Sequence, residues 1–286
     1  MFPFLHLILV IVPKNLLSAA VGWLARLEMP RPLQAWANVV FAKIFGIDAG
    51  ASAEPIESFK SIEDVFTRRL RSGIRPVVGA LVSPADGFLA RSAPIAQGQL
   101  LQAKGIHYSA AELVMGADGS AQIASFNAGR NPGWFVTVYL APHNYHRVHL
   151  PLSGTLECIR YIPGKLWPVN LPYAENFPQL FVANERLVFE FRRAEGLFSV
   201  VMVGALNVGR MTTHLWPEMT TNSAAVSRVT TEHKVAPGRA MAAGDELGVF
   251  MLGSTVVLIM DSAVAEGLRP LVAEGNRPIL MGQSLC

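Results

Sequence analysis

The sequence predicts an α+β fold, with short N-terminal helices followed by a β-rich domain. Three observations carry this reading. Apolar residues at helical spacing are concentrated in the first 48 residues. From about residue 80 onward, short apolar runs alternate with Gly, Pro and Asn, the punctuation of strands and turns. Long alternation of strand and helix patterns is absent, which argues against a doubly wound parallel sheet. The chain has 286 residues, of which 51% are hydrophobic and 16% charged. Soluble domains usually carry about a quarter charged residues, so this chain buries a great deal or sits against lipid. A net charge of +3 is too small to argue for nucleic acid but suits an anionic membrane surface. The two cysteines, Cys158 and Cys286, form no CxxC pair, which fits a reducing compartment.

The N-terminal run MFPFLHLILVIV is broken by Pro3 and His6 and closed by Pro13 and Lys14. It falls short of the roughly twenty apolar residues of a spanning helix. A signal peptide is the rival reading, but no Lys or Arg precedes the apolar run. Beyond Asn15, an expected N-cap, Leu16, Leu17, Ala20, Val21, Leu24 and Leu27 repeat at helical spacing. A second helix is expected over PLQAWANVVFAKIFG, with Pro32 near its start and Gly46 at its end. Trp23 and Trp36 suit a lipid interface, so residues 1–55 read as membrane-associating helices plus a linker, DAGASAEP. Ordinary core helices are the competing reading.

Residues 56–286 form the second expected unit. Ser61 and Asp64 predict a capped helix running to about Leu70. Arg68, Arg69, Arg71 and Arg75 then make a basic cluster, suited to lipid phosphates or to a solvated helix end. Strands are expected over ALVSPADGFLA, WFVTVYLAP, RLVFEF and LFSVVMVGALNVG. One helix interrupts them, capped by Ser109 and Glu112. GVFMLGSTVVLIM reads as a single apolar strand with Gly253, Ser254 and Thr255 at its centre.

Three places are candidates for chemistry. Asp86 in SPADG reads on its own as a turn residue. His143, His146 and His149 lie between Pro142 and Pro151, in a turn or irregular strand. Their spacing suggests zinc, but no acidic or Cys partner stands nearby, and a general base is the other use. At Gly253–Ser254 the plain reading is a bulge. The sharper one is that the hydroxyl attacks its own preceding peptide bond, an approach that Gly253 leaves open. No G-x-S-x-G elbow surrounds Ser254, which disfavours a hydrolase of that type.

SPADG, QAKGIHYS, YHRVH, NERLVFEF and LGST, in this order, resemble the bacterial, membrane-associated phosphatidylserine decarboxylases, over about residues 56–262. The resemblance implies a precursor that cuts itself between Gly253 and Ser254, into a large chain 1–253 and a small chain 254–286. Ser254 would be the nucleophile, His149 its base and Asp86 the orienting charge. Ser254 would become a covalent pyruvoyl group that forms a Schiff base with phosphatidylserine, and His146 would return a proton to the product. The implied products are phosphatidylethanolamine and carbon dioxide. The implied partners are phosphatidylserine, a membrane surface, the chain's own two fragments and a possible homodimer. The implied place is the cytoplasmic face of the cell membrane, held peripherally, with no metal. Asn144 stands where the family usually has Asp, PGKLWPVN replaces a more common PGDLFSVN, and Met251 stands where Lys is common. The competing functions are a pyruvoyl-dependent decarboxylase of a soluble amino acid, a zinc hydrolase on the three histidines, and a non-catalytic membrane-bound scaffold.

Overall fold

The computed structural model describes residues 14–103, 105–117, 120–169, 171–206, 210–223, 228–251 and 254–286. The apolar run 1–13 and Gly253 of the expected cleavage site lie outside the described residues.

Helix α1 (Lys14–Ala25) includes Asn15, so the helix starts one residue before the expected cap. Helix α2 (Arg31–Phe45) begins with Pro at its first turn and ends on Gly46 in the left-handed region, φ 69°, as the sequence predicts. Its amphipathicity is inverted. Gln34, Asn38 and Ala42 are buried, while Leu33, Trp36, Ile44 and Phe45 are exposed. The buried side is tied down by polar bonds. Asn38 Nδ2 donates to the carbonyls of Ile56 (3.2 Å) and Phe59 (2.8 Å), and Gln34 Nε2 donates to Asn38 Oδ1 (2.8 Å). Among the described residues no helix is long and apolar enough to cross a membrane.

The stretch 48–55 folds onto its neighbours. Asp48 Oδ1 caps a short 3-10 turn, and Ala53 N donates to Arg69 O at 2.8 Å. Helix α3 (Ile62–Phe66) is capped as expected, with Ser61 Oγ accepting from Asp64 N. It stops at Phe66 rather than near Leu70, because Leu70 is drawn into an extended bridge with Ser52. Ala42, Ile47, Ile56 and Val65 bury together and join these pieces.

The remaining chain builds β1 (Gly87–Pro94), β2 (Gln99–Ala103), β3 (Ile106–Ser109), β4 (Pro132–Leu140), β5 (Arg147–His149), β6 (Gly154–Ile162), β7 (Arg186–Arg192), β8 (Leu197–Val203), β9 (Met211–Thr212), β10 (Thr231–Met241), β11 (Glu246–Phe250), β12 (Ser254–Asp261) and β13 (Ala273–Ile279). Helix α4 (Ala110–Met115) has the predicted Ser109 cap; helix α5 (Ser120–Gly129), with weak patterning and one buried residue, Phe126, is additional. Eight strands form one antiparallel sheet in the order β10-β6-β7-β8-β12-β4-β1-β13. A smaller sheet, β5-β11-β9, is antiparallel too. The expected single strand GVFMLGSTVVLIM is therefore two strands in different sheets: β11 ends at Phe250 and β12 begins at Ser254. Strand β12 is buried from end to end and lies fourth from one edge, which accounts for its unbroken apolar run.

Candidate active site

Register places Ser254. In the large sheet it lies opposite Leu140, while Thr255 lies opposite both Tyr139 and Val203. Cross-strand partners share a face and alternate residues share a face. Val256 is opposite Met202, so Ser254 and Met202 point to the same side. The small sheet packs there: a Cβ on Gly248 of β11 would come within 3.0 Å of Met202 Sδ. The backbone of His146 is tied to β11 by Phe250 N, which donates to His146 O at 3.0 Å. Ser254 thus faces the sheet that carries the histidine segment. Its side chain is fully buried, and its Oγ has no hydrogen-bond partner among the described residues. An unsatisfied buried hydroxyl costs about 1–3 kcal/mol, an expense expected where the group has a use.

Asp86 reaches the same end of the sheet. Phe88 of β1 lies opposite Tyr139, which lies opposite Thr255, so Asp86 enters β1 beside the end of β4 at which Ser254 begins β12. Strands β1 and β12 are separated by one strand, about 10 Å. Gly87 is required here, since a Cβ would stand 2.3 Å from Tyr139 O. His149 joins this corner through its backbone, its N–H donating to Pro84 O at 2.8 Å.

The side chains make a different set of bonds from the expected Asp–His pair. Asp86 is held by Arg75, with Nε at 2.9 and 3.2 Å from its two oxygens and Nη2 at 2.7 Å. The Met281 amide also donates to Asp86 Oδ1, at 2.8 Å. The His149 Nδ1–H donates to Gly244 O (2.7 Å), and its Nε2 accepts from the Tyr145 hydroxyl (3.1 Å). This pattern fixes the tautomer with an unprotonated Nε2, the form a general base needs. Burial lowers the His149 pKa; the Gly244 bond and the charges of Glu246 and Asp86 work against that, and Arg147 adds to it. Burial raises the Tyr145 hydroxyl to about 12, so it remains a donor.

His146 is fully buried against Phe66, ring centroids 3.9 Å apart. Its Nδ1–H donates to Asn144 O at 2.9 Å, and its Nε2 has no partner among the described residues. Burial pushes its pKa down to about 3. As bonded it is a bare acceptor with no proton at Nε2. Asn144, where the resemblance leads one to expect Asp, closes the local turn by accepting from Ala141 N at 2.7 Å, which an Asp oxygen would do equally. His143 turns elsewhere, edge-on to Phe88.

On the other flank of Ser254, Gly204 follows β8 and donates its N–H to Glu185 O (2.8 Å). The Glu185 carboxyl accepts from the Tyr161 hydroxyl (2.7 Å) and from Asn222 N (2.9 Å), and burial raises its pKa. Sequence reading missed Arg75 as the partner of Asp86, and Tyr145 and Gly244 as partners of His149. Tyr145 had a local signal, four residues before His149 within YHRVH. Arg75 had appeared as part of a basic cluster.

Comparison with known proteins gives the same direction. The family model described as phosphatidylserine decarboxylase matches residues 62–286. The chain is 38% identical over 280 residues to the phosphatidylserine decarboxylase proenzyme of Anaeromyxobacter sp., covering 96% of this chain and 95% of that one. It is 40% identical over 278 residues to the proenzyme of Alcanivorax borkumensis, covering 96% and 92%. It is 40% identical over 268 residues to that of Azotobacter vinelandii, covering 91% of each. A match of this extent, on a fold that brings SPADG, YHRVH and the start of β12 to one corner, shows that the chain belongs to the phosphatidylserine decarboxylase family.

Proposed function

We propose that this chain is a self-processing phosphatidylserine decarboxylase, releasing carbon dioxide and phosphatidylethanolamine, and that Ser254 is the source of its pyruvoyl group. The observation that carries the reading is the buried Ser254 hydroxyl, without a partner among the described residues, on the sheet face toward the histidine segment.

The processing chemistry is assigned to this chain's own groups. His149 Nε2 takes the Ser254 hydroxyl proton while Tyr145 gives up its place on that nitrogen. The Oγ attacks the carbonyl carbon before it. The C–N bond breaks, the nitrogen receives the proton from His149, and an ester joins the two fragments. Loss of the Cα proton of residue 254 expels the ester as the carboxylate of the large chain. Water then replaces the nitrogen, ammonia leaves, and the small chain starts with a ketone. Asp86 keeps a negative charge beside the imidazolium that forms in between. The pyruvoyl carbonyl so produced would supply the electron sink for the departing carboxylate. His146 begins as an acceptor, so it can return a proton to the product's α-carbon only after one has been delivered to its Nε2.

The α2 surface fits a lipid substrate. Leu33, Trp36 and Ile44 form an outward apolar stripe while the polar side of the helix is bonded to the body. Trp23 and Leu24 of α1 and the following Leu27 add to it. This arrangement supports peripheral attachment to a membrane, and the cytoplasmic face of the cell membrane is the place we propose for it.

Denaturing mass measurement of the purified chain tests the proposal. Two fragments are expected, the smaller blocked at its amino terminus, with one uncut chain for Ser254→Ala. Continued cleavage in Ser254→Ala refutes it.

A further inference from the structure

Asp86 draws its partners from both sides of the expected cut. Arg75 lies on the large fragment and Met281 on the small one. Both ion-pair side chains are largely buried, at 15% and 6% exposure. Planar guanidinium and carboxylate groups meeting through parallel bonds fix an orientation as well as supply charge. The Met281 amide is itself held in place. Gly282 N donates to Ser83 O (3.0 Å), Val78 N to Gly282 O (2.9 Å), and Ser83 N to Gln283 O (2.8 Å). Gly282, at φ 83°, sits where a Cβ would lie 2.4 Å from Pro76 O.

We propose that Arg75 is a positioning residue for self-cleavage: its fork, with the Met281 amide, fixes the Asp86 carboxylate and offsets its charge next to His149. The proposal rests on the self-processing reading above. Without this fork the carboxylate is free to swing to the imidazole and hold it protonated, which removes the base. The other charged or titratable groups around the pair are Arg68, Asp48 and Tyr145; around His149 they are Arg147, Glu246 and Tyr145. All of them are unchanged in the variants below.

The test uses full-length precursor made by cell-free translation, with cleavage followed by denaturing mass from pH 5 to 9. Arg75→Gln is expected to cut at least about ten-fold more slowly, with the acid limb of its rate profile moved up by about half a unit or more. Arg75→Lys keeps the charge and loses the fork; it is expected to be slowed while its limb stays at the parent's pH. Circular dichroism melts establish that each variant is folded. A folded Arg75→Gln with the parent's rate and limb overturns the proposal. If Arg75→Gln does not fold, a parental rate in Arg75→Lys overturns it. Ser254→Ala in the same series separates the two ideas: uncut Ser254→Ala with normal Arg75 variants leaves self-processing standing and removes only this role, whereas cut Ser254→Ala removes the reading beneath it.

Discussion

One oxygen of Asp86 receives the Met281 amide at 2.8 Å while its carboxylate is forked by Arg75, so a residue beyond position 254 completes the surroundings of one that precedes it. His149 is oriented instead by the Gly244 carbonyl and the Tyr145 hydroxyl. The imidazole is therefore aligned by a backbone carbonyl and a phenol, and the carboxylate acts on it as a charge.

His149→Ala should slow self-cleavage by about 10²–10⁴-fold, the usual worth of a general base. Because burial lowers the pKa of His149, the neutral imidazole persists below the ordinary histidine value of about 6.5. The acid limb of the parent's cleavage rate should thus lie below about pH 6.5. Mass-resolved time courses across pH check this, and a limb above pH 7 would contradict it.

Tyr145→Phe removes the hydroxyl that occupies His149 Nε2. The imidazole keeps its Gly244 bond and its tautomer. Cleavage should change by no more than about ten-fold in either direction, well short of the His149→Ala loss. The same time courses give the comparison, and equal losses would make Tyr145 the base's obligatory partner.

Ser254→Ala should be at least as stable as the uncut parent precursor. It removes a buried hydroxyl that has no partner among the described residues; leaving such a group unpaired costs about 1–3 kcal/mol, a gain on its removal that the small cavity left behind offsets in part. Thermal melts of the His149→Ala precursor with Ser254 intact and with Ser254→Ala added provide the measurement. A destabilised alanine variant would mean that the hydroxyl is bonded after all.

Acid should destabilise the fold through His146. Its folded pKa of about 3 lies below its unfolded value, so its contribution is present above about 6.5 and is lost as pH falls toward 3. Between pH 7 and 5 the loss is about 2 kcal/mol from this group. His146→Gln should show a shallower fall over the same range in denaturant midpoints, and an equal slope would count against the assignment.

Replacing Trp36 and Ile44 together by Ser should weaken sedimentation with anionic vesicles by about a hundred-fold, from about 3 kcal/mol of lost apolar contact. Both side chains face outward, at 64% and 72% exposure, so the melting temperature should hardly move. Asn38→Ala makes the reverse case. It leaves the Ile56 and Phe59 carbonyls unpaired, and should lower stability by about 2–3 kcal/mol without touching the apolar stripe.

Local rules were legible in the sequence. The Ser61 and Ser109 caps and the Gly46 stop depend on neighbours within a few residues, and each is found where the pattern puts it. What failed depended on distant partners. The helix from Ile62 ends early because Leu70 pairs with Ser52, and GVFMLGSTVVLIM divides because β11 and β12 answer to different sheets. Strand β10 is mostly exposed at the sheet's edge; its half-buried and exposed positions alternate over residues 231–236, but the inward ones are Thr231, His233 and Val235 and the register breaks between Lys234 and Arg239, which leaves no hydrophobic alternation to read. Arg75 and Asp86 are eleven positions apart across a turn-rich stretch, and no periodicity marks that pairing.

Strand β12 is clasped between β4 and β8, and the last residues of the chain are bonded along residues 78–83. A scission just ahead of β12 would therefore release an end without releasing a piece. The thirty-three residues beyond it, 254–286, would stay fastened as a core strand and a terminal strap, and separating them would require melting the main sheet. A newly made terminus held so firmly at its base can be exposed to a lipid headgroup again and again without drifting from the groups that serve it.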